Sequence, residues 1–170
     1  SSPHVAGAAA LVKAARPSWT PDNIRSALAM TASRTVVKED GITLADWFDS
    51  GSGRVQVDKA VEAGLIMDET AENYTAANPN QGGDPRTLNL PSITDNECAN
   101  TCSWRRTFTA TTSGSWNVQT ENLSNGIQIS ATPSSFTLNE GETQTLNITI
   151  DVNGASNATW LFGAVVMTSN

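Results

Sequence analysis

The chain opens with an apolar run, Val5-Ala6-Gly7-Ala8-Ala9-Ala10-Leu11-Val12, that shows no polar face at helical spacing. Ser2 and Pro3 read as the entry of a helix, because a proline in the first turn forgoes an N–H that has no partner there. Pro17 ends the element after Arg16. A helix apolar nearly all round belongs inside a larger body. A second helix is predicted from Thr20-Pro21, with Thr20 as N-cap and Ile24, Ala27, Leu28 and Thr31 facing inward. Gly51-Ser52-Gly53 reads as a tight loop, and a short helix over 58–63 follows, ending near Gly64.

Beyond residue 85 the period changes from that of a helix to two. Short alternating runs are predicted as strands at 87–90, 104–111, 115–120, 127–131, 135–138, 143–152 and 159–168. The run 143–152 is the clearest, with Leu146, Ile148 and Ile150 alternating with Thr145, Asn147 and Thr149. Gly, Asn and Pro turns separate these runs, which is the pattern of an immunoglobulin-like sandwich. Composition shifts at the same place. Residues 1–85 carry 18 charged side chains and 86–170 carry 9, whereas Ser, Thr and Asn rise from 17 to 36. The turn-rich stretch 78–85 reads as a linker between a first part, 1–77, and a sandwich, 86–170.

Charge narrows the partners. The formal net charge of -7, with only three scattered lysines, argues against nucleic acid and against an anionic membrane surface. The run 5–12 is far too short to cross a bilayer. Cys98 and Cys102 lack the further ligands that a zinc site needs. A local disulfide is the favoured reading, with two free thiols as the alternative; a disulfide places the chain outside the cytosol.

The opening Ser1-Ser2-Pro3-His4-Val5-Ala6-Gly7 resembles the segment that follows the nucleophile in the subtilisin-like serine proteases. Thr20-Pro21-Asp22-Asn23-Ile24-Arg25-Ser26-Ala27-Leu28 is similar to the family's next helix. Gly51-Ser52-Gly53-Arg54-Val55 and the residues to Val61 resemble its closing Gly-x-Gly-x-Val segment and last helix. The resemblance implies a nucleophilic serine two positions before Ser1, and a histidine base and aspartate that precede it. Ser1, Ser2, Pro3, His4 and Gly7 then flank a catalytic residue without being catalytic. The second half resembles the fibronectin type III-like sandwich that many larger subtilases carry, through 88–93, 106–111 and 126–133. The Cys98–Cys102 insertion departs from its commonest form. The implied fold class is α + β in two parts, the helical tail of a subtilisin-like α/β protease domain followed by an antiparallel β-sandwich.

Several residues invite sharper readings. His4 is the single histidine, but a serine and a histidine within one helical turn leave no room for triad geometry, so it is read as a structural helix residue. Glu39, Asp40, Asp46 and Asp49 offer hard oxygens for calcium, which subtilases often bind. No run supplies enough ligands at regular spacing, and a solvated acidic loop is the favoured reading. No cofactor is therefore expected of this chain, and calcium is left to a longer parent. Trp104, Trp116 and Trp160 are read as core anchors; exposed and coplanar, they would instead form a sugar-stacking face. Sequons at Asn73, Asn122, Asn147 and Asn157 occur about as often as composition gives by chance.

The resemblance implies a secreted serine endopeptidase as parent, acting on protein or peptide substrates. This chain is expected to be its inactive C-terminal piece, with the sandwich stabilising or orienting the protease. The alternative is a non-enzymatic β-sandwich module binding carbohydrate or a cell surface. The Val5–Val12 helix is expected to bury its apolar surface against the sandwich, a second copy or the upstream protease part. Leaving it in water forgoes roughly 1.5–3 kcal/mol per large side chain.

Overall fold

A computed structural model describes residues 2–155 and 159–170. The chain divides into two compact units, 1–68 and 69–170.

The first unit is built on two helices, α1 (Ser2–Ala15) and α2 (Pro21–Met30), followed by the short helices α3 (Trp47–Ser50) and α4 (Val57–Val61) and the two-residue strand β1 (Leu65–Ile66). Only a stripe of α1 enters the core. Ala8 and Val12, one turn apart, are buried, whereas Val5 and Leu11 stay 47% and 62% exposed. They pack with Trp19, Ile24, Ala27, Leu28, Ala60, Ala63 and Ile66.

The connection between α1 and α2 is fixed by cations at the helix end, where unpaired carbonyls accumulate. The Lys13 ammonium donates to the carbonyls of Pro17 and Trp19, at 2.9 and 2.8 Å. Arg16 donates from Nε to the Val61 carbonyl at 2.9 Å, and its guanidinium lies 5.5 Å from the centre of the Trp19 ring. Helix α2 then starts on a reciprocal cap. The Thr20 hydroxyl accepts the Asn23 N–H, and the Asn23 side-chain oxygen accepts the Thr20 N–H, both at 3.0 Å.

Asn23 and Ser26 are the buried polar residues of α2, and both turn to Met67, which is 1% exposed. The Asn23 amide donates to the Met67 carbonyl at 3.0 Å, and the Ser26 hydroxyl accepts the Met67 N–H at 2.9 Å. The loop that follows α2 returns to Gly53 through a two-way backbone pairing of Ser33 and Arg54. Gly53 sits at φ +116°, and a Cβ there would lie 2.3 Å from the Ser33 oxygen, so only glycine fits.

Short helices α3 and α5 (Ala71–Ala76) were not foreseen in the sequence. Asp46 caps the first and Thr70 the second, each accepting backbone N–H groups of the opening turn. Helix α4 covers 57–61 rather than 58–63, ending at Glu62.

Among its described residues the second unit holds α5, two 3₁₀ turns (Pro79–Gln81 and Pro85–Thr87) and six strands: β2 (Thr101–Ala110), β3 (Gly114–Asn122), β4 (Gln128–Thr132), β5 (Ser135–Leu138), β6 (Thr143–Asp151) and β7 (Gly163–Ser169). Strand β6 lies between β2 and β4, and β3 lies between β5 and β7, with every pairing antiparallel. Phe108, Ala110, Trp116, Phe136, Leu138, Leu146 and Ile148 fill the interior. The Trp116 and Phe136 rings stack with centroids 5.6 Å apart. On the outer faces hydroxyls pair across strands, Ser103 with Thr149, Thr107 with Thr145 and Ser115 with Thr137.

The segment 87–90 is not a strand. Pro85 has no N–H for a ladder, and Asp84 caps the 3₁₀ turn that the proline starts. What the segment contributes is a side chain. Backbone bonds at Ala110 and Asn100 set the parity of β2, so Thr107 directs its peptide groups away from β6. Asn89 supplies the missing neighbour: its oxygen accepts the Thr107 N–H and its amide donates to the Thr107 carbonyl, both at 2.8 Å. Arg106, 3% exposed, donates from Nε to the Leu90 carbonyl at 2.7 Å. Burial pulls the Arg106 pKa down, and the Glu69 carboxylate opposes that shift.

Burial pushes the Glu69 pKa up. The Asn89 N–H, the Asn73 amide, the Thr70 N–H and the Arg106 charge outweigh that push, and the group ends below its ordinary 4.5.

Two outcomes are expected. Asn23→Ala opens the α2 cap and removes one of the two side-chain donors to the Met67 carbonyl, leaving the Ser26 hydroxyl at 3.1 Å, and is expected to cost about 1–3 kcal/mol in chemical denaturation. The depressed Glu69 pKa makes its contribution complete above pH 4.5 and lost as pH falls through the folded-state value. Glu69→Gln is therefore expected to flatten the acid limb of a Tm-versus-pH curve and to lower Tm at neutral pH. An unchanged acid limb refutes that role.

Candidate active-site segment

The motif residues open α1, and Ser1 lies outside the described residues. Ser2, Pro3, His4 and Gly7 are all exposed, and a Cβ on Gly7 would meet nothing within 4 Å. The first turn of a 14-residue helix aims its backbone N–H groups along the axis toward the helix entry, and the helix dipole favours developing negative charge there. The segment therefore has the form of an anion-stabilising end, carried on a helix held by Ala8 and Val12 and pinned at its other end by Lys13 and Arg16. Those two anchors escaped the reading of the sequence, although cations in the last helical turn are their ordinary signal.

A shallow open depression of about 480 Å³ is lined by Ala71, Glu72, Thr75, Ala76 and Gln81. It contains no histidine, serine or cysteine.

The acidic residues near α3 are committed to the chain itself. The Asp46 carboxylate accepts the N–H groups of Phe48 and Asp49, both at 2.9 Å. Asp49 pairs with Lys38 at 2.8 Å, and this partner holds its pKa below the usual carboxylate range. Asp40 accepts from the Thr43 hydroxyl and from the N–H groups of Ile42 and Thr43, which lowers its pKa in turn. Among the described residues no three His, Cys, Asp or Glu side chains converge on a point where a metal ion would sit. This donor set does not fit calcium.

Cys98 and Cys102 are joined in a disulfide. It lies beside a cluster of charges in which Arg86 reaches Asp84 at 2.9 Å and Asp95 at 3.1 Å.

The three tryptophans differ in burial. Trp116 is buried on β3, Trp104 is half-buried on β2, and Trp160, in the approach to β7, is 50% exposed. Strands β2 and β3 belong to different sheets, so no aromatic platform forms from them. Asn73, Asn122 and Asn147 are exposed, and Asn157 lies outside the described residues.

Two family models divide the chain. One for the subtilase family matches residues 1–86, and one for a fibronectin type-III domain matches residues 87–170. Subtilisin-like protease SBT1.7 of Arabidopsis thaliana is 32% identical over 185 residues, covering 89% of this chain and 24% of that protein. Subtilisin-like protease SBT3.11 of the same plant is 30% identical over 200 residues, covering 99% of the chain and 26% of the relative. Subtilisin-like protease SBT3 of Solanum lycopersicum is 40% identical over 80 residues, or 44% of the chain. The chain thus spans about a quarter of the length of the relatives that it matches throughout. Helices bearing the post-nucleophile motif, followed by an antiparallel sandwich, agree with both models: the chain belongs to the subtilase family and carries a fibronectin type-III domain behind its protease segment.

Proposed function

We propose that this chain is the C-terminal part of a secreted serine endopeptidase, and that by itself it hydrolyses no peptide bond. The observation that carries the reading is the exposed start of α1. It has the sequence that follows the family's nucleophile, on a helix whose dipole and first-turn N–H groups suit an oxyanion. In the whole protein the nucleophile precedes Ser1, and an upstream histidine takes its proton while an aspartate orients that histidine. Ser2, Pro3, His4 and Gly7 shape the helix entry and do no chemistry. Protein or peptide substrates are read by residues outside this chain.

The exposed Val5 and Leu11 support a docking role for α1, with the remainder of the protease domain covering that face. The boundary between protease part and sandwich falls in the turn-rich stretch 78–85, and the sandwich supports or orients the protease. The Cys98–Cys102 disulfide supports an oxidising, extracytoplasmic location. Calcium in the whole protein is bound by other residues, since Asp40, Asp46 and Asp49 are engaged within their own loop.

Exposing the chain to a fluorophosphonate probe and to a chromogenic peptide is expected to give neither labelling nor turnover. Covalent labelling at Ser1 or Ser2, with turnover abolished by His4→Ala, overturns the reading.

A further inference from the structure

The second unit contains the dipeptide Asn-Gly twice, at Asn125-Gly126 between β3 and β4 and at Asn153-Gly154 between β6 and β7. Both lie in exposed turns, and the backbones of the two glycines touch. Gly126 sits at φ +82°, and a Cβ on it would collide with the Gly154 carbonyl. The chain is fastened on either side of the first turn. The Ser124 hydroxyl accepts the Phe162 N–H at 2.8 Å, and Ile127 is 2% exposed.

Asparagine before glycine is prone to close on itself, because glycine has no side chain to shield its peptide nitrogen. That nitrogen attacks the asparagine side-chain carbonyl carbon. A C–N bond forms, and the side-chain nitrogen leaves as ammonia, taking the proton that the glycine nitrogen gives up. Water then opens the succinimide ring at either carbonyl, giving aspartate or isoaspartate. The two dipeptides are identical, but their carboxamides are not held alike. Asn153 donates its Nδ2 to Asp151 at 2.7 Å, and the same carboxylate oxygen accepts the Asn153 backbone N–H at 2.8 Å. That grip fixes the carboxamide, and the negative charge beside it opposes the oxyanion that forms during attack. No partner among the described residues holds the Asn125 side chain, and the Gly126 N–H finds no backbone acceptor among them.

We propose that Asn125 is a site of spontaneous deamidation, with water as the only co-reactant, and that Asp151 spares Asn153. Isoaspartate carries the main chain through the side-chain carbon. It therefore lengthens the backbone by one methylene between two fixed points, Ser124 and Ile127. The added length falls where the Gly126 and Gly154 backbones already touch. Conversion also adds one negative charge to a chain of net charge -7. The second unit thus carries a slow chemical switch that loosens the passage from β3 to β4. The reaction is internal to this turn and rests on no functional reading of the chain.

Incubation of the whole chain at mildly alkaline pH, followed by peptide mass mapping, tests it. Conversion is expected to be about tenfold or more faster at Asn125 than at Asn153, the factor that one hydrogen bond to a carboxylate supplies. In denaturant the two rates are expected to converge. Asp151→Asn removes the charge and is expected to raise the Asn153 rate toward that of Asn125. Asn125→Asp supplies the new charge without the longer backbone and is expected to leave Tm nearly unchanged, whereas the aged chain bearing isoaspartate melts lower. Asn125→Ser stops both the fast conversion and the fall in Tm. Equal rates at the two asparagines of the folded chain overturn the proposal, absence of reaction at both included. So does a faster Asn153, and the comparison of folded with denatured chain decides the matter should Asp151→Asn fail to fold. A Tm that stays constant through full conversion to isoaspartate overturns the switch.

Discussion

Met67 is 1% exposed, and its peptide group is held by the side chains of Asn23 and Ser26. A buried peptide group without a partner costs about 1–3 kcal/mol, so whatever meets Met67 must be polar, buried and well aimed. Asn23 can serve because its oxygen is already occupied by the Thr20 cap, which leaves its amide pointing one way. The start of α2, the end of β1 and the closure of the core around Ile24 and Leu28 are thus one arrangement. The same solution recurs in the second unit, where Asn89 acts as a one-residue neighbour for Thr107. In both places a carboxamide, with a donor and an acceptor on one plane, imitates a peptide bond.

Elements whose signal is local were legible in the sequence. Thr20-Pro21 announced α2, because cap and proline act within a single turn. The alternation of 143–152 announced β6, whose central position demands one apolar face. Legibility failed where the deciding partner is distant or the element very short. The segment 87–90 alternates like a strand, yet Pro85 and Asp84 turn the chain just before it, and its asparagine is worth more as a cap on β2 than as a ladder member. Helices α3 and α5 are four and six residues long, too brief for periodicity to register, although Asp46 and Thr70 were readable as caps.

For the active-site segment, identity was legible and environment was not. The run 5–12 is apolar on all sides, and composition alone says that such a helix is enclosed. In this chain it rests on Ala8 and Val12, with Ala9 packed beside them, and the other residues of the run are exposed. Nothing in the run distinguishes the stripe from its neighbours, since alanine and valine occur on both faces. Lys13 and Arg16 hold the far end of the helix by reaching carbonyls of the following turn and of α4.

The buried guanidinium of Arg106 bears on where the sandwich begins. The fibronectin type-III match starts at residue 87, but the compact unit starts at 69, and the residues between include Glu69, whose charge faces Arg106. A polypeptide begun at the family boundary would fold around a cation stripped of its counter-ion. The stretch matched as a fibronectin type-III domain and the compact unit are consequently not the same, and the eighteen residues 69–86, helix α5 among them, lie between their starts.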